Sequence, residues 1–211
     1  MVPPASCVKA AGDNATVHFL DTVRGSDWGA DQEVVRIFAD NAPIAVRELA
    51  HFGVPWTRVR PGPNQYHIKG QHVVIDEPEE KRGLIMHRDF GGTAKWRACY
   101  AAAGTGHAAL YAVDGEVVRL GVNVRDRMEA LSLVHDGERC SGAVVRCLRT
   151  GKLSVILAKC TVIATGGYGR IYGQYTTNAT INEGTGASLA LDTGLVPLGN
   201  MEAIQFHPTG L

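Results

Sequence analysis

LSVILAKCTVIATGGYGRIY, Leu153 to Tyr172, decides the fold of this 211-residue chain. The run Leu153 to Thr165 is rich in β-branched residues, whose stiff χ1 suits a pleated backbone, and it is long enough to continue into a buried strand of a larger sheet. It stops at Thr165-Gly166-Gly167. Bare backbone at Gly166, Gly167 and Gly169 would let a bound molecule approach closely, whereas a tight exit turn from a strand uses the same letters. The residues alone leave both readings open.

Upstream, Glu129 to His135 and Cys140 to Leu148 share the period of 2, and Asp136-Gly137 and Thr150-Gly151 fall between the runs. That spacing predicts a three-stranded antiparallel meander. Before Val122 the period is 3.6. A helix is expected over Asp31 to Asn41, with Val34, Val35, Ile37 and Phe38 at helical spacing. Pro43 suits the first turn of a second helix, with Val46, Leu49 and Ala50 on its face and Gly53 as its stop. A third helix is expected from His107 to Leu120, with Thr105 near its N-cap, Gly121 closing it, and Ala109, Leu110, Val113, Val117 and Leu120 facing the core. Pro61 to Pro78 reads as a linker-like excursion. Its His67 and His72 lack a third ligand and read as solvated surface, not a metal site. The fold class is therefore α/β with α+β elements.

Downstream, Gly184-Thr185-Gly186 opens a fourth helix through Ala187 to Thr193, with Gly194 as its stop. Its N-terminus could face a phosphate or another anion. In MEAIQFHPTG, from Met201, alternation places Gln205 and His207 on one face and Ile204 and Phe206 on the other, with Pro208 keeping His207 extended. Such a pair could grip a carboxylate, where a charge-assisted hydrogen bond is worth roughly 1.5–3 kcal/mol. A core histidine that is simply hydrogen-bonded is the more frequent arrangement. Gly104, Gly106 and Ala109 satisfy the letters of a dinucleotide fingerprint. However, the preceding WRACYAAA is not a clear strand and no acidic residue follows at the right distance, so helix capping accounts for them.

Composition agrees with a folded globular chain: 45% apolar residues, and 21 Lys plus Arg against 21 Asp plus Glu. The balance excludes disorder and argues against a general nucleic-acid binder, which concentrates cations on phosphate. The cysteines at 7, 99, 140, 147 and 160 form no CxxC pair and are expected as free thiols in a reducing compartment. MVPPASCVKA is not a secretory signal, and no apolar run approaches the ~20 residues that cross a bilayer.

Several pieces, in order, resemble the flavoprotein subunit of fumarate reductase and succinate dehydrogenase. They are HFLDTVRGSDWGADQ from His18, HRDFGGTAKWR from His87, TGH at 105 to 107, ATGGYGRIY from Ala164, TTNA at 176 to 179 and the terminal MEAIQFHPTGL. The wording around Phe90 and Trp96 is most similar to the quinol-dependent fumarate reductases. The resemblance implies an FAD-binding domain in which Ala130, Thr165, Gly166 and Gly167 line the cofactor through backbone groups. Many relatives have GDG where this chain has Gly184-Thr185-Gly186. Thr185 would therefore contact FAD by a hydrogen bond without charge, with Glu183 as a substitute for the missing Asp. It further implies that Phe90 and Gln205 lie by a dicarboxylate, fumarate or succinate, and that His207 donates to one of its carboxylates.

The implied reaction is hydride transfer between flavin and the fumarate/succinate carbon pair in anaerobic respiration, with a proton-donating arginine expected downstream of this chain. The implied partners are an iron–sulfur subunit and a membrane quinone-binding subunit, on the cytoplasmic side of the inner membrane. The family's GxGxxG unit and flavin-linking histidine do not precede Asp21, and its capping domain would follow Leu211. Residues 1 to 211 are accordingly expected to be a partial FAD-binding domain, an internal piece inactive alone. L-aspartate oxidase is a competing relative, against which FGG at 90 to 92 speaks. A noncatalytic remnant is the competing class.

Overall fold

The computed structural model describes residues 12–68, 71–88, 93–102 and 104–204. The chain divides at Val122 into two compact units.

The first unit opens with α1 (Ala15–Gly25), which the sequence reading did not anticipate; Asn14 caps it by accepting a hydrogen bond from the Val17 amide at 3.0 Å. α2 (Gln32–His51) begins at Asp31, whose carboxylate accepts from the Glu33 and Val34 amides. It is one helix, not two, and runs through Pro43. The reason is the apolar stripe: Val35, Ala39, Ala42, Val46 and Leu49 stay in one helical phase across the proline, so burial holds the helix together where one backbone hydrogen bond is lost. Gly53, at φ +107°, ends it, with Gly53 N–H on Ala50 O and Val54 N–H on Leu49 O, the paired bonds of a left-handed cap.

Pro61 to Pro78 is not a structureless excursion. It holds an antiparallel hairpin of β1 (Gly62–Ile68) and β2 (Gln71–Glu77), in which His67 and His72 are directly opposed. No group of three or more metal-ligating side chains occurs among the described residues. β3 (His87–Arg88) pairs with β4 (Ala98–Cys99), and α3 (Thr105–Arg119) follows. Gly104 is the N-cap of α3, while the Thr105 hydroxyl accepts from the Ala101 amide at 3.1 Å.

Two apolar clusters hold this unit. Val54, Trp56, Ile85 and Ala101 pack with Val46, Leu49 and Ala50 of α2 and with Ala108, Ala109 and Ala112 of α3. Val59, Tyr66 and Met86 pack with Ile75, Trp96 and Tyr100. The alanine stripe lets α3 lie close to Trp56, and Leu110, Val113 and Leu120, expected in the core, are exposed instead. Val34, Ile37 and Phe38 of α2 are likewise exposed.

The second unit contains the expected meander: β5 (Met128–His135), β6 (Cys140–Cys147) and β7 (Leu153–Leu157), antiparallel in that order. The third run is shorter than its β-branched composition suggests. Among the described residues, after Leu157 only the Ala158 amide reaches β6, at Ser141 O, and residues 161 to 167 continue without a ladder partner. A strand needs a neighbour to bond with, and composition alone does not supply one. α4 (Thr185–Leu191) packs against β5, and Gly194 lies beyond its end at φ +69°.

Candidate functional site

In the second unit, side chains along residues 161 to 167 are exposed; Val162 is 86% accessible. This exit is fastened at its end. The Thr165 hydroxyl accepts the Gly186 amide of α4 at 3.1 Å, which leaves its own proton for another acceptor. A methyl on Gly186 would lie 2.2 Å from Thr165 Oγ1 and 2.4 Å from Ile163 Cγ2, so the start of α4 is pressed onto the exit. Gly166 holds φ at +77°. Gly167 is exposed, outside the positive-φ range, and a methyl built on it would meet nothing within 4 Å. Neither strain nor internal packing accounts for that glycine. The bare strip is where a flat molecule can lie against backbone N–H and C=O groups.

The chain beyond the exit folds back beneath it. The Gly184 amide donates to Gly167 O at 3.2 Å and the Arg170 amide to Asn182 O at 3.0 Å. The Arg170 guanidinium donates to Thr176 O and Asn178 O, both at 3.5 Å. These contacts give TTNA, at 176 to 179, a physical role that spacing did not reveal: its backbone carbonyls at Thr176 and Asn178 receive the Arg170 guanidinium of the turn. Ala130 sits half-buried in β5, opposite Val145 and beside a bulge at Leu131. Because α4 packs on β5, this unit contains Ala130, Thr165, Gly166, Gly167 and Thr185, the exposed first residue of α4. Glu183 is exposed just before it. Phe90, Gln205 and His207 lie outside the described residues.

In the first unit the motifs from His18 and His87 meet at Arg97, which sequence reading did not single out. Arg97 donates to Asp13 at 2.7 Å and to Asp21 at 2.6 Å, and Asp21 also accepts the Ala94 amide at 3.0 Å. Burial pushes the Asp21 carboxyl up, but the Arg97 and Ala94 bonds outweigh it and hold it below its usual range. Glu77, buried, accepts Tyr66 Oη–H and Lys81 Nζ, each at 2.6 Å. Beside them His87 is 4% exposed, and neither ring nitrogen has a hydrogen-bond partner among the described residues. Burial, only partly opposed by Asp13 and Glu77, holds it below the ordinary imidazole range. A spacing of charged residues many positions apart carried no signal for either cluster.

A family model described as FAD binding domain matches residues 2 to 211. The chain is 53% identical over 207 residues to the fumarate reductase flavoprotein subunit of Helicobacter pylori strain J99, a match that covers 98% of this chain and 29% of that protein. It is 37% identical to the succinate dehydrogenase flavoprotein subunit of Rickettsia felis, across 92% of this chain and 30% of that one. Among solved structures, an E. coli quinol fumarate reductase chain superposes with a TM-score of 0.72 at 32% identity, over 89% of this chain and 28% of that one. The chain thus spans under a third of the length of these relatives. Among the described residues no helix is long and apolar enough to cross a membrane.

Proposed function

The chain belongs to the FAD binding domain family, and from that premise we propose that it forms the flavin-holding part of a fumarate reductase or succinate dehydrogenase subunit. The observation that carries the reading is the bare exit at Gly166 and Gly167 fastened through Thr165 to α4. These residues fit FAD: the open space at Gly167 admits a flat ring system or a nucleotide against the backbone, and the Thr165 hydroxyl retains a proton to donate.

When bound, FAD supplies the ring that exchanges a hydride with the fumarate/succinate carbon pair. This chain's share is binding and orientation. Thr165, Gly166, Gly167 and Ala130 hold the cofactor through backbone groups and one hydroxyl, and Thr185 adds a neutral hydrogen bond where relatives carry a charge. None of these groups titrates between pH 5 and 8, so flavin affinity should be flat across that range. Phe90 and Gln205 are assigned to the dicarboxylate, and His207 to one of its carboxylates, because a neighbouring anion favours the imidazolium form. No residue of this chain is assigned the proton transfer. By similarity to the relatives, the subunit works with an iron–sulfur subunit and a membrane quinone-binding subunit, peripheral to the cytoplasmic side of the inner membrane.

The test is direct. Purified at the length its own cells make it, the protein should carry one FAD per chain and reduce fumarate with a reduced dye as donor. Colourless, flavin-free protein at that length refutes the reading.

A further inference from the structure

The glycine turn that follows Thr165 does not hold its shape alone. Gly169 is buried, and a methyl built on it would lie 2.5 Å from Asn178 Nδ2 and 2.6 Å from Asn178 Cγ, so the amide plane of Asn178 rests against the Gly169 Cα. That amide is itself fixed. Its Nδ2 donates to Thr176 Oγ1 at 2.8 Å, its backbone N–H donates to the same hydroxyl at 3.1 Å, and its Oδ1 accepts from Asn182 Nδ2 at 3.3 Å. Asn182 in turn reaches the other end of the turn. Its Oδ1 stands 3.2 Å from a methyl built on Gly166, and its backbone O accepts the Arg170 amide. Two asparagines, joined to each other, therefore bracket the segment from Gly166 to Arg170 at both its ends, while a methyl built on Gly167 between them meets nothing within 4 Å.

We propose that Asn178, with Asn182 as its coupled second member, is a positioning residue for FAD: it sets the path of the Gly166–Gly169 backbone on which the cofactor is held. The inference rests on the functional reading above. Asn178 acts through the turn and touches no reacting atom. Removing its amide frees the Gly169 Cα, takes one of two donors from the Thr176 hydroxyl and leaves Asn182 Nδ2 without this acceptor. The strip would then sample several paths, of which one matches the ring system, and affinity falls with the fraction that is competent.

The experiment uses the protein at the length its own cells make it, stripped of flavin and titrated with FAD. It follows half-saturation, the visible absorption spectrum of the bound flavin, and the thermal midpoint. N178A should raise the FAD concentration for half-saturation about tenfold, as expected for loss of one or two net hydrogen bonds from a positioned group, and should shift the flavin spectrum. N178D keeps the shape and the acceptor for Asn182, and should restore half-saturation to within about twofold. V134A trims the half-buried Val134 of β5, which the register sets against Gly142, and serves as the stability control; at an equal or larger drop in midpoint it should leave half-saturation and spectrum as in the wild type. Folded N178A with wild-type affinity and spectrum overturns the proposal, as does a V134A effect of the same size. Should N178A fail to fold, N182A decides: a rise in half-saturation supports the proposal and no rise overturns it. Absence of FAD binding by the wild type instead refutes the functional reading beneath it.

Discussion

Replacing Arg97 with Met should destabilise the first unit by about 2–4 kcal/mol at pH 7. The arginine side chain is 15% exposed, and its partners Asp13 and Asp21 are 16% and 11% exposed. Breaking a buried pair by removing one partner costs roughly 3–5 kcal/mol because the other charge is left desolvated; the residual exposure here admits water and lowers the figure. Methionine fills much of the volume, so the deficit reports charge more than packing. Tryptophan fluorescence suits the measurement, since Trp28, Trp56 and Trp96 all lie in the first unit. The thermal midpoint should fall by roughly 10 °C. The pH dependence separates charge from shape. With Arg97 present, the Asp21 pKa lies below its unfolded value, so its stabilisation is present above about pH 4 and is lost as pH falls through the folded value. In R97M, burial instead pushes Asp21 up, and protonation relieves it. The gap between variant and wild type should therefore be widest near neutrality and shrink toward pH 3. Equal midpoints at pH 7, or a gap as wide at pH 3 as at pH 7, would refute the reasoning.

His87→Leu should raise the midpoint of the first unit and flatten its acid limb. The buried imidazole, with no hydrogen-bond partner among the described residues, takes up protons less readily folded than unfolded, so wild-type stability is full above ~6.5 and declines as pH falls through the unfolded value toward the folded one; a variant whose midpoint declines in parallel with the wild type between pH 6.5 and 5 contradicts this. Gly142→Ala would put a methyl 2.0 Å from Ile156 O at a φ of +148°, so β6 and β7 should separate at a cost of about 1–3 kcal/mol or more, read as faster amide exchange in β7. His207→Ala in the protein as its cells make it should weaken dicarboxylate binding and leave flavin content unchanged; unchanged succinate affinity removes the role assigned to His207.

The meander was legible because its signals are local: alternation within each run and a glycine between runs. The hairpin at 62 to 77 was hidden because one of its inward residues is Glu77. The carboxylate breaks the apolar alternation and becomes tolerable only once Tyr66 and Lys81 bond to it. Pro43 misled in the opposite sense. A proline in mid-helix costs ~3 kcal/mol, which argues for a boundary, yet the stripe from Val35 to Leu49 keeps its phase across it. The phase of the apolar residues was the better guide, because it reports the tertiary burial that overrides a single local defect.

Glycine shows why the site was only half legible. Letters alone cannot separate a glycine demanded by backbone conformation, as at Gly166 with φ +77°, from one demanded by a close neighbour, as at Gly186 against Thr165 and Ile163. Both demands are met within the chain and need no ligand. Gly167 meets neither, and the same holds for Gly104, Gly106 and Gly199, but Gly167 lies beside Thr165 at the exit, where an outside molecule offers a reason for the missing side chain. The same comparison locates the support. Gly169 is small because Asn178 lies on it, so the turn is held at that point while Gly167, two residues earlier, stays open. The family resemblance put the ligand at the glycines, but the asparagines proposed to aim them are nine and thirteen residues past Gly169, beyond the reach of any local periodicity.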